Sequence, residues 1–238
     1  MSKMTKFQNV KSIFNDREKI FLPVLHVIDE EQVTRNLEII FDTYDADGVF
    51  LINNYCSDDD LHDAFLHTRK MYKDRWIGIN YLGSPKYAIN MATELNADGI
   101  WFDNGGVIDD NITTSQQMNE YMKSTGYKGL NFGGTCFKYQ KQPKDINLTI
   151  QNACNQMDVI TTSGDGTGKA INIDKLKNIY DANNNNNMIA VASGISPENV
   201  NIIKPYCNIY MANTCISKPK IEIFDPVLVD SLISKIRE

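Results

Sequence analysis

The chain has 238 residues, with 24 Lys and Arg against 30 Asp and Glu, a formal net charge of −6 and 42% hydrophobic residues. That balance excludes a largely disordered chain, and the lack of any basic block gives no support for a nucleic-acid or anionic-membrane partner. Five scattered cysteines without a Cys-x-x-Cys pair argue against a disulfide framework or a structural zinc site. No run of about 18 apolar residues offers a membrane span, so a reduced, cytoplasmic protein is expected.

Residues 1–18 are polar and read as an N-terminal extension. After them a short β-branched or aromatic run and an amphipathic segment of helical period alternate along the chain. Residues 20–27 (IFLPVLHV) form the first predicted strand, and residues 30–44 the first helix, with Val33, Leu37, Ile40 and Phe41 on one face. Strand two is predicted at 47–53; Asp58, Asp59 and Asp60 then mark a helix start, where the dipole favours carboxylates. Strand three is predicted at 76–81, a helix at 85–95 and strand four at 98–102. In the second half the strands fall at 129–132, 158–162, 188–193 and 208–212, the helices between them at 146–157, 174–180 and 197–204, and the last helix at 226–236.

Eight strand–helix pairs of about 30 residues each fit a single (β/α)8 TIM barrel domain spanning residues 1–238. An open doubly wound sheet would carry a glycine-rich turn after its first strand, whereas Val27-Ile28-Asp29-Glu30 stands there. An internal echo supports the repeat: Asp45-Ala46-Asp47-Gly48-Val49 resembles Asn96-Ala97-Asp98-Gly99-Ile100, with Asn155-Gln156-Met157-Asp158-Val159 a looser copy. The asparagine run at 183–187 reads as a low-complexity loop on the N-terminal face of the barrel.

In this fold the strands deliver functional residues at their C-terminal ends. That filter selects His26, Asn53, Asn80, Asp103, Asn131, Thr162, Ser163, Ser193, Gly194 and Asn213. The run Ser193-Gly194-Ile195-Ser196-Pro197, with Ser196 as helix N-cap, joins Asn213-Thr214 as a candidate phosphate clamp after strands seven and eight. Ser163-Gly164-Asp165-Gly166-Thr167-Gly168-Lys169 is a second candidate cradle, with Lys169 as point charge or proton donor. It has neither the Walker A spacing nor a dinucleotide fingerprint. Asp103 is the first choice for a general base or metal ligand, and His26, able to titrate near neutral pH, for its acid partner. His62 and His67 point to different helix faces and do not share a metal. No cofactor is expected, and a divalent metal stays open.

The stretch Asp158-Val159-Ile160-Thr161-Thr162-Ser163-Gly164 with Gly166-Thr167-Gly168, and Ala192-Ser193-Gly194-Ile195-Ser196-Pro197-Glu198-Asn199-Val200, resembles the BtpA family of barrels. Ile77-Gly78-Ile79-Asn80-Tyr81-Leu82 is similar to that family's third unit. The first unit departs from it: His26 matches, but the proline- and glycine-rich turn that usually follows is absent. The resemblance implies a phosphate-binding barrel like phosphoribosylanthranilate isomerase or thiamine phosphate synthase. It implies a phosphosugar or nucleotide-like ligand; with two glycine loops facing one rim, and Asp103 as base with His26 or Lys169 as acid, the expected activity is that of an isomerase or phosphoribosyl-type transferase. The alternative is a non-catalytic assembly or regulatory factor that keeps the phosphate site. Barrels of this type commonly pair through their helices, so a homo-oligomer is open.

Overall fold

The computed structural model describes residues 4–166, 168–218 and 220–238. The first predicted strand is delivered as two pieces, β1 (Ile20–Phe21) and β2 (Val24–His26), on either side of Pro23. Proline has no N–H to give to a ladder, yet its carbonyl still accepts from Phe50 N (2.9 Å), so the two pieces run on as one edge-to-edge segment. The other strands are β3 (Gly48–Ile52), β4 (Trp76–Asn80), β5 (Gly99–Phe102), β6 (Leu130–Gly134), β7 (Val159–Thr162), β8 (Met188–Ala192) and β9 (Ile209–Met211). All pair in parallel in the order β1-β9-β8-β7-β6-β5-β4-β3-β2. Because β1 bonds β9 while β2 bonds β3, the sheet curls round and meets itself in the first segment. The predicted α/β barrel is the observed fold.

The helices are α1 (Lys6–Ile13), α2 (Glu30–Leu37, running on into a π-helical turn at Glu38–Thr43), α3 (Asp58–Met71), α4 (Pro85–Glu94), α5 (Thr113–Thr125), α6 (Ile146–Gln156), α7 (Ile173–Asn183), α8 (Val200–Ile203) and α9 (Pro226–Arg237). Both faces of a barrel strand are buried, which is why the strands read as continuous apolar runs. Outward residues such as Leu51, Ile79, Ile160 and Val191 pack under the helices. Inward residues form a separate inner core around Phe50, Trp76, Trp101 and Phe132, with Phe50 and Phe132 edge to face at 5.0 Å. Glycines make the room: a Cβ on Gly78 would lie 2.3 Å from Phe50, and one on Gly99 2.4 Å from Trp76.

The sequence echo proves to be a hydrogen-bonded clamp. Asp47, immediately before β3, accepts the Phe21 N–H on Oδ2 (2.8 Å) and returns its own N–H to the Phe21 carbonyl (3.2 Å). Asp98 does the same with Ile77 (2.8 and 3.0 Å), Asp158 with Asn131 (2.9 and 3.0 Å) and Asn208 with Ile189 (3.1 and 2.8 Å). Every second strand is thereby tied at its N-terminal end to the strand before it, through an amide that would otherwise lack an acceptor.

The floor below these clamps is closed by α1. Thr5 and Gln8 form a capping box that starts it, and Val10 and Phe14 seat in the inner core, with Phe14 5.3 Å from the Trp76 ring. Lys6 Nζ donates to the carbonyls of Cys154, Asn155 and Met157 (3.0, 3.1 and 2.6 Å), occupying the negative end of the α6 dipole. The asparagine run lies on this N-terminal face as expected, but its ends are structural. Asn183 and Asn187 are buried; Asn187 Nδ2 reaches the Met157 carbonyl (2.8 Å), and Asn184 and Asn185 take the left-handed conformation that asparagine tolerates. A short antiparallel hairpin, β10 (Ser217–Lys218) with β11 (Ile223–Phe224), stands between β9 and α9 and has no counterpart among the predicted elements.

Removing one clamp oxygen tests its worth. Asn208→Ala is expected to lower stability by about 1–3 kcal/mol, and Asn208→Asp, which keeps the acceptor, by less than half as much, in urea unfolding.

Candidate active site

The C-terminal strand ends enclose a cavity of about 470 Å³. Its wall includes His26 from β2, Asp103 after β5, Gly168 after β7, Ser193, Gly194 and Ser196 after β8, and Asn213 and Thr214 after β9. Lys138 and Tyr139, on the loop between β6 and α6, also line it.

Asp103 is largely buried, and burial pushes its carboxyl above the ordinary value; Lys138 and a hydrogen bond from Asn80 Nδ2 (3.3 Å) pull it back. Asn80 is itself buried and holds the carboxylate from below. The Asp103 carbonyl takes the Gln140 side-chain amide, tying the Lys138 loop to the end of β5. His26 is held below its ordinary pKa by burial, against the pull of Glu222 and with the help of Lys138. Its Nδ1 stands 3.2 Å from Glu222 Oε2, an ion-pair distance whose angles fall short of a hydrogen bond, and neither buried atom has another hydrogen-bond partner among the described residues. Glu222 is delivered by the β10–β11 turn, whose carbonyl at that residue is gripped by Gln32 Nε2 (2.9 Å) and Asn36 Nδ2 (2.8 Å) of α2. A neutral imidazole, a buried carboxylate and a lysine thus share one cavity, a set suited to moving a proton on a bound substrate.

The rim after β7 and β8 is organised by its own hydrogen bonds. Ser193 Oγ accepts from Gly168 N (3.3 Å) and donates to the Gly166 carbonyl (3.3 Å), stapling the glycine loop to the end of β8. Gly194 has φ +71°, and a Cβ there would lie 1.8 Å from the Lys169 carbonyl. What approaches Gly194 closely is therefore the neighbouring loop's backbone. Ser196 does not cap a helix as predicted: residues 197–199 form a turn and α8 starts only at Val200. Asn199 folds its side chain back instead, with Oδ1 accepting from Ser196 N (2.9 Å) and Nδ2 donating to the Gly194 carbonyl (2.7 Å). Asn213 Nδ2 donates to the Val24 carbonyl (2.9 Å) and closes the barrel seam. Among the described residues the backbone amides of Gly194 and Thr214 are two of several rim N–H groups with no intramolecular acceptor, and such groups are the donors this rim offers an anion.

Several predicted residues sit elsewhere. Asn131 lies early in β6, its backbone clamped by Asp158 and its side chain directed to Asn119 and Gln156, at the other end of the strand from the cavity. The predicted strand ends at 132, whereas Gly133 and Gly134 both belong to β6, and a Cβ on Gly133 would meet Met157 at 2.3 Å. Asn53 holds Asp58 (2.6 Å) and the Leu82 amide (3.0 Å) and supports the rim without lining it. Ser163 is buried, accepts Lys138 N (2.8 Å) and so positions the Lys138 loop. Gly164 packs against the Lys169 and Ala170 backbone, Gly166 is buried behind the wall, and Asp165 and the Lys169 side chain are exposed outside it. Thr167 lies outside the described residues. Lys138 escaped the sequence filter because it sits four residues past the strand in a polar loop, where nothing in its neighbours sets it apart. Among the described residues no group of three or more His, Cys, Asp or Glu is placed to hold a metal.

No family model matches the sequence, and no curated protein matches it. Solved structures match in fold. One is a native KDPGal structure (TM-score 0.66, 11% identity, 91% of this chain and 94% of that one). Others are phosphoribosyl anthranilate isomerase from Thermus thermophilus (0.62, 10%, 92% and 98%) and 3-keto-L-gulonate-6-phosphate decarboxylase from Vibrio cholerae (0.62, 12%, 92% and 98%). At these identities the likeness establishes a shared α/β barrel over nearly the whole of each chain.

Proposed function

We propose that this barrel is an enzyme acting on a phosphorylated small molecule, as an isomerase or a phosphoribosyl-type transferase. The observation that carries the reading is the meeting of Asp103, His26 and Lys138 in one cavity beside a rim with open backbone amides. Gly194 and Thr214 hold the phosphate through those amides, with Ser193 fixing the loop beside it. Asp103 is the base; His26, neutral at pH 7 and backed by Glu222, gives or takes the second proton; Lys138 offsets the negative charge that develops between them. Two of the three similar structures are named for phosphate-bearing substrates, which supports the class of ligand without choosing the reaction. The BtpA resemblance rests on the motifs around Ser163 and Ser193 and supports the same ligand class. Reduced thiols and a cytoplasmic setting fit five free cysteines, and no helix among the described residues is long and apolar enough to cross a membrane.

A thermal-shift panel of phosphosugars and nucleotides is expected to give saturable stabilisation, about 2.7 kcal/mol at a hundred times Kd, and Gly194→Trp is expected to abolish it. Absence of any shift across the panel overturns the proposal.

Asp103→Asn separates catalysis from folding. The raised pKa means that the folded state holds the Asp103 proton more tightly than the unfolded chain does. Its favourable contribution is full below the unfolded value, about 4, and is lost as pH rises through the folded one. The variant is expected to lose turnover yet match or exceed the parent's Tm at pH 7, with the difference shrinking as pH falls to about 4. A Tm loss at pH 7 would mean that the carboxylate is structural.

A further inference from the structure

The mouth of the cavity is apolar in a way that proton transfer and phosphate binding do not use. Three separate loops place large side chains there: Tyr55 after β3, Leu82 after β4 and Tyr139 after β6, exposed by 60%, 46% and 80%. Leu82 and Tyr139 line the cavity, and the Tyr55 ring stands edge-on to His26, which also lines it, at 5.6 Å. Leu82 is not a stray surface residue, because Asn53 Oδ1 takes its amide (3.0 Å) while Asn53 Nδ2 is anchored on Asp58 (2.6 Å). Deeper in, the wall continues with Trp101, Ile52 and Met211. Apolar surface held in place around a concave site is stabilised when a ligand removes it from water, at about 25 cal/mol per Å².

We infer that the substrate carries an aromatic ring as well as its phosphate, and that Tyr55, Leu82 and Tyr139 receive that ring. The phosphate end belongs to the loops after β8 and β9, and the ring end to those after β3 and β4; β4 faces β8 across the barrel, only the first strand segment stands between β3 and β9, and Tyr139 reaches in from the loop after β6. A bare sugar phosphate would leave the apolar mouth in water; a phosphomonoester bearing a planar heterocycle covers it. This inference rests on the phosphate reading above, and the test separates the two.

Binding of 5′-AMP, ribose 5-phosphate, adenosine and inorganic phosphate is measured by calorimetry on the intact protein. The expected result is 5′-AMP at least about ten-fold tighter than ribose 5-phosphate, with that preference falling to about three-fold or less in both Leu82→Ser and Tyr139→Ala. Circular dichroism and Tm confirm that these surface variants fold. Ribose 5-phosphate binding as tightly as 5′-AMP, or a preference unchanged in both variants, overturns the inference and leaves the phosphate reading standing. Binding of adenosine but of neither phosphate-bearing ligand overturns the phosphate reading alone, and binding of none of the four overturns both.

Discussion

The structure depends on the pairing of one side-chain oxygen with one strand amide, repeated four times. A parallel barrel has no edge where an unpaired N–H can reach water, and strands that start at different heights leave such groups at their N-terminal ends. Asp47, Asp98, Asp158 and Asn208 each satisfy one and set the height of the next strand by the same act. Register fixed at the floor carries to the other end of each strand, where His26 and Asp103 have to meet across the cavity.

The clamps show how far the sequence is legible. The repeat around Asp47, Asp98 and Asp158 is visible in the letters, but its fourth member is an asparagine in a different local sequence, and the bond it makes joins residues some twenty positions apart. The eight strands are legible because burial on both faces leaves unbroken apolar runs. The β10–β11 hairpin is not, since it is too short to have a period and is held by two buried polar side chains of α2, Gln32 and Asn36.

The site is legible in part for the same reason. Residues that end a strand can be found once strands are found, so His26, Asp103 and Ser193 are placed where expected. Gly133 and Gly134 hide the true end of β6 by resembling a turn, and with it the loop that brings Lys138. Polar letters also do not say which way they face. Asn53, Asn80 and Ser163 all stand at strand ends, yet each spends its side chain on a neighbour of the cavity rather than on its contents.

The seam between the first strand segment and β9 bears on when the protein becomes competent. Asn213 and Val24 are 189 residues apart in the chain, and Gln32 and the Glu222 carbonyl 190. These contacts close loops that span most of the chain and depend on nearly all of it being in place. His26 meets Glu222 on that seam, and Thr214 joins the rim there. An open ring, whether nascent at the ribosome or partly unfolded, therefore lacks the complete cavity even if its other strands are native, and ring closure is the step that completes it.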